Sequence, residues 1–321
     1  MAGSNLTKFT AFANEDQAIA LLESIRWPNG AACPHCGGCD PYRIVARKIG
    51  TRTRKGLWKC SQCRKQFTVK VGTIFEQSHI PVSKWLMAIH LLTASKKGMS
   101  AHQFHRMLGI TYRAAWFMAH RLRHAMAQDD VLSKLTGVIE ADETYVGGKR
   151  WTRWNKQGER RGNPSRRADK IPVFGLVQRN GQATMFPVER VTAENMRRIL
   201  TERVDLGATL MTDESNIYTK TGRKFGKHGV VKHAANEYVK DGGFTHTNTV
   251  EGFFSLLKRG IMGTFHHVSK GHLHRYCDEF SFRYNNRIAA GVDDAQRAKN
   301  LILAGEGKRL TFKQPSSASA A

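Results

Sequence analysis

No apolar run in the 321-residue chain approaches the ~18 residues that a membrane-spanning helix needs. The opening stretch, MAGSNLTKFTAFANEDQ, lacks a basic segment followed by an apolar core, so no secretory signal is expected. Internal repeats are absent as well. Acid is scarce: 26 Asp and Glu face 51 Lys and Arg, a net charge of +25. The excess is spread along the chain, with 19 basic and 7 acidic side chains in residues 1–130 and 32 and 19 in residues 131–321. A field of that sign attracts polyanions, of which nucleic acid is the commonest large one in cells. Cysteine is also sparse, and five of the six lie between Cys33 and Cys63. That is a local site and not a disulfide frame, so a reducing compartment and metal-ligating thiols are expected. Together these features predict a cytoplasmic, nucleoid-associated nucleic-acid-binding protein with no membrane partner.

Length over ~150 suggests about two domains, and composition divides the chain further. Residues 1–32 read as a short helix (15–25) and a turn at Pro28–Gly30. Residues 33–75 carry the cysteines, and 81–128 read as helices broken near Gly98 and Gly109. Apolar strands followed by helices over 131–290 are an α/β signature. Residues 291–321 are expected to be a C-terminal tail whose small, polar end, from Gly305, is disordered.

Cys33-Pro-His-Cys36 and Cys60-Ser-Gln-Cys63 are two C-x2-C knuckles separated by 23 residues. Each knuckle aims two thiolates at one cation, and two complete a tetrahedron that suits structural Zn2+. Cys39 is an alternative to Cys36, and Cys277 reads as a core residue. Between the knuckles seven basic residues, Arg43, Lys55 and Lys59 among them, face Asp40 alone. A basic zinc ribbon that touches phosphates is the reading.

Helical signals follow. Ser83, Ser100 and Thr111 are N-cap candidates for three helices, and the turn at Gly109-Ile110 before the longest gives a helix-turn-helix pattern. On that longest helix Ala115, Ala119, Leu122 and Met126 recur at core spacing. Arg113, Arg121 and Arg123, with His120 and His124, occupy the rest and are candidate DNA contacts. A helical hairpin with no DNA role would have the same periodicity.

Residues 138–146 read as a strand carrying Asp142. Residues 170–179 and 182–188 form a hairpin turned at Asn180-Gly181, a helix spans 192–203, and strand 208–212 delivers Asp213. A helix from near His246 to about Arg259 places Asn248, Glu251, Ser255 and Lys258 on one face, opposite Val250, Phe253, Phe254 and Leu257. Strand acid, hairpin, helix, strand acid and helix acid is the chain order of an RNase H-like nucleotidyl-transfer core. Three acids can hold two Mg2+ ions ~3.5–4 Å apart for in-line attack at phosphorus. Glu140, Glu143 and Glu214 remain rival acids on spacing alone.

The run His246-Thr-Asn-Thr-Val-Glu251-Gly-Phe-Phe-Ser-Leu-Leu-Lys258-Arg-Gly, continuing to Gly263-Thr-Phe-His-His, resembles a signature of zinc-ribbon-bearing, ISXO-like insertion-sequence DDE transposases. Asp142-Glu-Thr-Tyr-Val-Gly-Gly-Lys149, Tyr276–Arg287 and the order of Trp27-Pro-Asn-Gly, ribbon and helix-turn-helix match the same family. The resemblance implies Asp142 and Asp213 as the first two catalytic acids, Glu251 as the third and Lys258 as a DNA contact. Asn248, one turn earlier, is the alternative third ligand. A charged oxygen is the better magnesium ligand, which favours Glu251. The implied partners are element terminal repeats and target DNA, bound by at least a homodimer in a synaptic complex.

Residues 149–170 hold 9 basic and 2 acidic side chains, including Lys149, Arg150 and Arg153, together with Trp151 and Trp154. They read either as a DNA clamp with stacking indoles or as an unstructured basic loop. The expected whole is an α/β, RNase H-like catalytic core preceded by a four-cysteine zinc ribbon and a helix-turn-helix region. Two other functions use the same parts: a non-catalytic ribbon and helix-turn-helix regulator, and a structure-directed nuclease that cuts without joining.

Overall fold

A computed structural model describes residues 13–45, 54–127, 134–147, 152–154, 160–162, 170–231 and 244–312. The chain forms two units, one of residues Met1–Met126 and Asn286–Ala321, the other of Ala127–Asn285.

In the first unit, helix α1 (Glu15–Arg26) begins at Asn14, whose side chain accepts from the Asp16 and Gln17 amides. Three short antiparallel strands follow: β1 (Pro41–Arg43), β2 (Trp58–Cys60) and β3 (Gln66–Phe67). Cys33, Cys60 and Phe67 form their small core, with Trp27 and Trp58 packed against it. Helix α1 and the ribbon therefore share contacts: Glu23 accepts from the Trp58 indole at 2.9 Å and pairs with Arg43.

Helices α2 (Val82–Ala94), α3 (Ala101–Leu108) and α4 (Tyr112–Met126) complete the amino-terminal half. Ser100 caps α3 in a reciprocal capping box with Gln103, and Gly109 ends it in the left-handed region. Thr111 accepts from the Ala114 amide at the start of α4. The start of α2 differs from the expected Ser83 cap. The helix begins at Val82 after Pro81, and the carboxylate of Glu15 accepts from the Val82 and Ser83 amides at 2.7 and 3.0 Å.

The expected tail, 291–321, contains helix α9 (Asp294–Ala304), which packs on α1, α2 and α4. Its Ala298, Leu301 and Ile302 are buried in this unit. Beyond the helix, Gly305 accepts from the Ile74 amide and Gly307 donates to Gly72, so residues 305–307 join the loop after the ribbon. Leu310 is buried too. A polar, small-residue composition suggested disorder here, but a few apolar anchors and backbone pairing hold the segment. Residues 313–321 lie outside the described residues.

The second unit is a five-stranded sheet in the order β10-β9-β4-β7-β8. Its strands are β4 (Val138–Val146), β7 (Ile171–Gln178), β8 (Ala183–Pro187), β9 (Thr209–Asp213) and β10 (Lys227–Val231). The first three form an antiparallel meander, while β9 and β10 add in parallel beside β4. Asn180 takes the left-handed conformation that the hairpin requires. Two further short strands, β5 (Thr152–Trp154) and β6 (Arg160–Gly162), pair antiparallel within the basic insertion.

Alternation along β4 divides the core. Ile139 and Ala141 face helices α5 (Ala193–Arg203) and α6 (Asn216–Gly222). The other face lies under α7 (Asn248–Gly260) and α8 (Leu273–Asn285). Val250, Phe253, Phe254 and Leu257 of α7 are buried there, as is Cys277 of α8. Phe280 is core, with Tyr276 and Tyr284 packed beside it, as that helix's spacing suggested. This is an α/β, RNase H-like architecture, with helices on both sides of a mixed sheet.

Candidate active site and metal centre

The Sγ atoms of Cys33, Cys36, Cys60 and Cys63 all lie within 4.8 Å of one another. Cys33–Cys63 and Cys36–Cys60 are each 3.6 Å apart. Four sulfurs at ~2.3 Å from one zinc ion would sit about 3.8 Å apart, so the donor set and its size fit structural Zn2+. The Cys63 amide pulls the Cys60 thiol down to about 7, toward the thiolate that a metal needs. The Gly38 amide favours the Cys36 thiolate, yet the Cys63 and Cys60 sulfurs push that thiol up to about 12. Cys39 is exposed and donates to the Gly37 carbonyl instead, which removes it as the alternative ligand.

Two of the basic ribbon residues are engaged internally. Arg43 pairs with Glu23 and stacks on Trp58 at 4.8 Å, and Lys55 pairs with Asp16 at 2.8 Å.

In the second unit β4 and β9 run parallel with Glu140 opposite Met211. Continuing that register two residues sets Asp142 beside Asp213 on the face under α7. Directly across on β7, Gly175 pairs with Asp142. A Cβ at Gly175 would lie 2.7 Å from the Phe254 ring and 3.2 Å from Val250. The glycine therefore lets α7, with Glu251, approach the strand that carries Asp142. Glu251, Asn248 and Lys258 are exposed on α7, and Ser255 between them is half-buried.

The charges interact. Burial pushes the Asp142 carboxyl up to about 7, against the Glu143 amide that donates to it at 2.8 Å. The carboxylates of Glu143, Asp213 and Glu251 add to the rise. Asp213 accepts from the Ser215 amide at 3.1 Å. A half-buried group of like charges on hard oxygen donors is what a divalent cation neutralises, so these residues fit Mg2+. Among the described residues only the four thiols gather within 4.8 Å, so the acids form a looser group.

The rival acids separate by position. Glu143 accepts from the buried Tyr218 hydroxyl of α6 on the opposite face, and burial raises the carboxyl of one and the phenol of the other. Glu214 is exposed. Glu140 is fully buried and ion-paired with Arg179. The sequence singles out neither Arg179, which lies far from Glu140 along the chain, nor Tyr218, which follows Asp213 by five residues with no pattern that ties it to Glu143.

The arginines of α4 need correction. Arg121 and Arg123 are 8% and 3% exposed, and His120 is buried beside them. Arg121 donates to the carbonyls of Ile74 and Glu76 at 2.9 Å and of Leu310 at 3.2 Å, and Arg123 to that of Met99 at 3.4 Å. They fasten loops to the helix and do not face solvent. Arg113 is exposed and stacks on Phe312 at 4.3 Å. Lys149, Arg150 and Trp151 lie outside the described residues. Arg153 and Trp154 fall on β5, whose side chains are likewise outside the description.

Comparison with known proteins assigns both regions. Residues 134–285 match the ISXO2-like transposase domain, and residues 13–66 match the transposase zinc-ribbon domain. An uncharacterized protein of the transposable element ISH50 from Halobacterium salinarum is 30% identical over 281 residues, covering 85% of this chain and 91% of the relative. Solved structures with weaker likeness include a chain of the simian T-cell lymphotropic virus intasome, at 12% identity and TM-score 0.28. That match covers 60% of this chain and 64% of the other. A pre-cleavage Mos1 transpososome aligns at 14% identity and TM-score 0.27, covering 70% and 79%. No described helix is long and apolar enough to cross a membrane.

Proposed function

The chain belongs to the ISXO2-like insertion-sequence transposases, and from that premise we propose that Asp142, Asp213 and Glu251 are its catalytic acids. These acids would hold two Mg2+ ions, and the chain would process DNA at the ends of the element. The observation that carries this reading is that Asp142 and Asp213 stand on neighbouring parallel strands, β4 and β9, with the Asp213 and Glu251 charges both near enough to act on the Asp142 carboxyl.

Mg2+ held by Asp142, Asp213 and Glu251 would supply positive charge for in-line displacement at phosphorus. The chain's own residues orient the parts. Strands β4 and β9 fix two acids on rigid backbone, and α7 brings the third. Lys258, two turns beyond Glu251, offers an ammonium to the DNA backbone. Asn248 lies at the start of the same stripe and contacts phosphate or the helix end. One site serves both hydrolysis at an element end and attack by the freed 3′ hydroxyl on target DNA.

Recognition falls to the zinc ribbon and the helix-turn-helix, residues 33–75 and 81–128, with Arg113 at the exposed start of α4. Basic residues Lys149, Arg150 and Arg153 of the insertion contact DNA near the cleaved bond. Joining two ends to one target requires at least a dimer.

The test is strand transfer from a donor plasmid carrying the gene with its flanks into a target plasmid, with purified protein and Mg2+. Wild type should give joined products and Asp213→Asn none. Equal cleavage by both would remove Asp213 from the site, and nicks without joined products would mean a nuclease.

A further inference from the structure

Helix α7 starts without a capping side chain from its own N-cap residue, Thr247. The cap comes from another element. Glu140 of β4, fully buried, accepts from the Thr249 and Val250 amides at 2.8 and 3.0 Å and from the Thr249 hydroxyl at 2.8 Å. A carboxylate there also meets the positive end of the helix dipole. Its charge is balanced by Arg179, just after β7, whose Nε lies 2.6 Å from Oε1. The same guanidinium donates to the carbonyls of Phe244 at 2.6 Å and His246 at 2.9 Å, the segment that leads into α7. His246 Nδ1 is 3.3 Å from the same carboxylate oxygen.

Glu140 precedes Asp142 by two residues, so both side chains leave β4 on the face under α7. The amides it grips belong to residues just before Glu251. We propose that Glu140 and Arg179 form a positioning clasp that sets the separation of Asp142 from Glu251 and so the affinity of the site for divalent cations. The inference rests on the assignment of Asp142, Asp213 and Glu251 as the catalytic acids. A buried ion pair is a poor way to gain stability, since well-packed apolar residues do as well or better. What it provides here is a fixed direction: three donors of one helix end read by one strand carboxylate.

The experiment compares full-length wild type with Glu140→Gln, Glu140→Asp and Glu251→Gln. It measures Mn2+ binding by calorimetry without DNA, amide exchange over residues 248–252, circular dichroism, and the Mg2+ dependence of cleavage. Glu140→Gln keeps the shape but loses the charge. It should fold, exchange the Thr249 and Val250 amides at least about tenfold faster, and bind Mn2+ about tenfold more weakly. Cleavage should recover in part at high Mg2+. Binding within about twofold of wild type, with exchange quickened, would reduce the clasp to a structural cap and overturn the inference. If Glu140→Gln does not fold, Glu140→Asp retains the charge but shortens its reach, and unchanged affinity there would overturn it equally. Wild-type activity in Glu251→Gln would remove the assignment beneath the inference. Loss in Glu251→Gln alongside normal Glu140 variants would remove the clasp alone.

Discussion

Asp142 shows how a single side chain ties the site to stability. Burial first, then its acidic neighbours, moves its carboxyl from 3.8 up to about 7. Between those values the folded protein keeps a proton that the unfolded chain has released. Stability therefore falls as pH rises through that window, by at most about 1.4 kcal/mol per unit. In magnesium-free buffer the Asp142 contribution should favour a higher unfolding temperature at about pH 5 than at about pH 8, read as the difference between wild type and Asp142→Asn. Asp142→Asn should flatten the difference, and a calorimetric profile unchanged by that substitution would contradict the assignment. The arginines of α4 separate on the same scale. Arg121→Met leaves three carbonyls without their donor, and should cost about 3 kcal/mol in thermal unfolding. Arg113→Ala should leave stability nearly intact and weaken DNA binding, read by mobility shift at fixed salt. Helical spacing could not distinguish these two arginines. It identifies one apolar face, and what covers the other faces of α4 comes from residues 74–76 and 310, far along the chain.

Elements differ in how openly their sequence announces them. Ser100, Thr111 and the Asn180-Gly181 turn are local signals, and each lies where its spacing put it. Helices α2 and α7 are different, because a carboxylate from elsewhere caps each: Glu15 for one, Glu140 for the other. No local pattern contains such a cap. Glu140 looked like one of several acids near Asp142, and only the tertiary contacts give it a separate role. Gly175 is similar. In sequence it is a glycine inside an apolar strand, while in the fold it is the clearance under Phe254. Gly175→Ala should push α7 off the sheet, costing about 1–3 kcal/mol. Strand transfer should fall further than that loss alone implies, because Glu251 rides on the displaced helix. Chemical denaturation and transfer assays at a temperature where the variant is fully folded would distinguish the two effects. Full transfer activity in a folded variant would show that the spacing is not critical.

On the scale of the whole molecule, the chain leaves its first unit after Met126, builds the catalytic sheet, and returns at Asn286. The sequence made the catalytic segment legible because its strands alternate and its hairpin is marked. It concealed the return, since residues 294–304 are a short amphipathic helix whose partners lie some two hundred positions earlier. Helix α9 buries Leu301 and Ile302 among α1, α2 and α4. Arg297 donates to the Thr93 carbonyl at 2.9 Å, at the far end of α2. A carboxy-terminal segment thus completes the core of the unit that carries the zinc ribbon. Leu301→Ala removes a fully buried side chain and should destabilise that unit by about 3 kcal/mol. Hydrogen exchange would locate the effect, with faster exchange in 82–94 and 112–126 and unchanged protection in 138–146 and 171–178. Uniform loosening of both sets would mean that the two units unfold as one. Loosening confined to 294–312 would mean that α9 is an appendage and not part of the core. The first pattern would also explain why an amino-terminal fragment ending near residue 127 should bind DNA poorly even with its zinc site intact: it lacks the helix that closes its core.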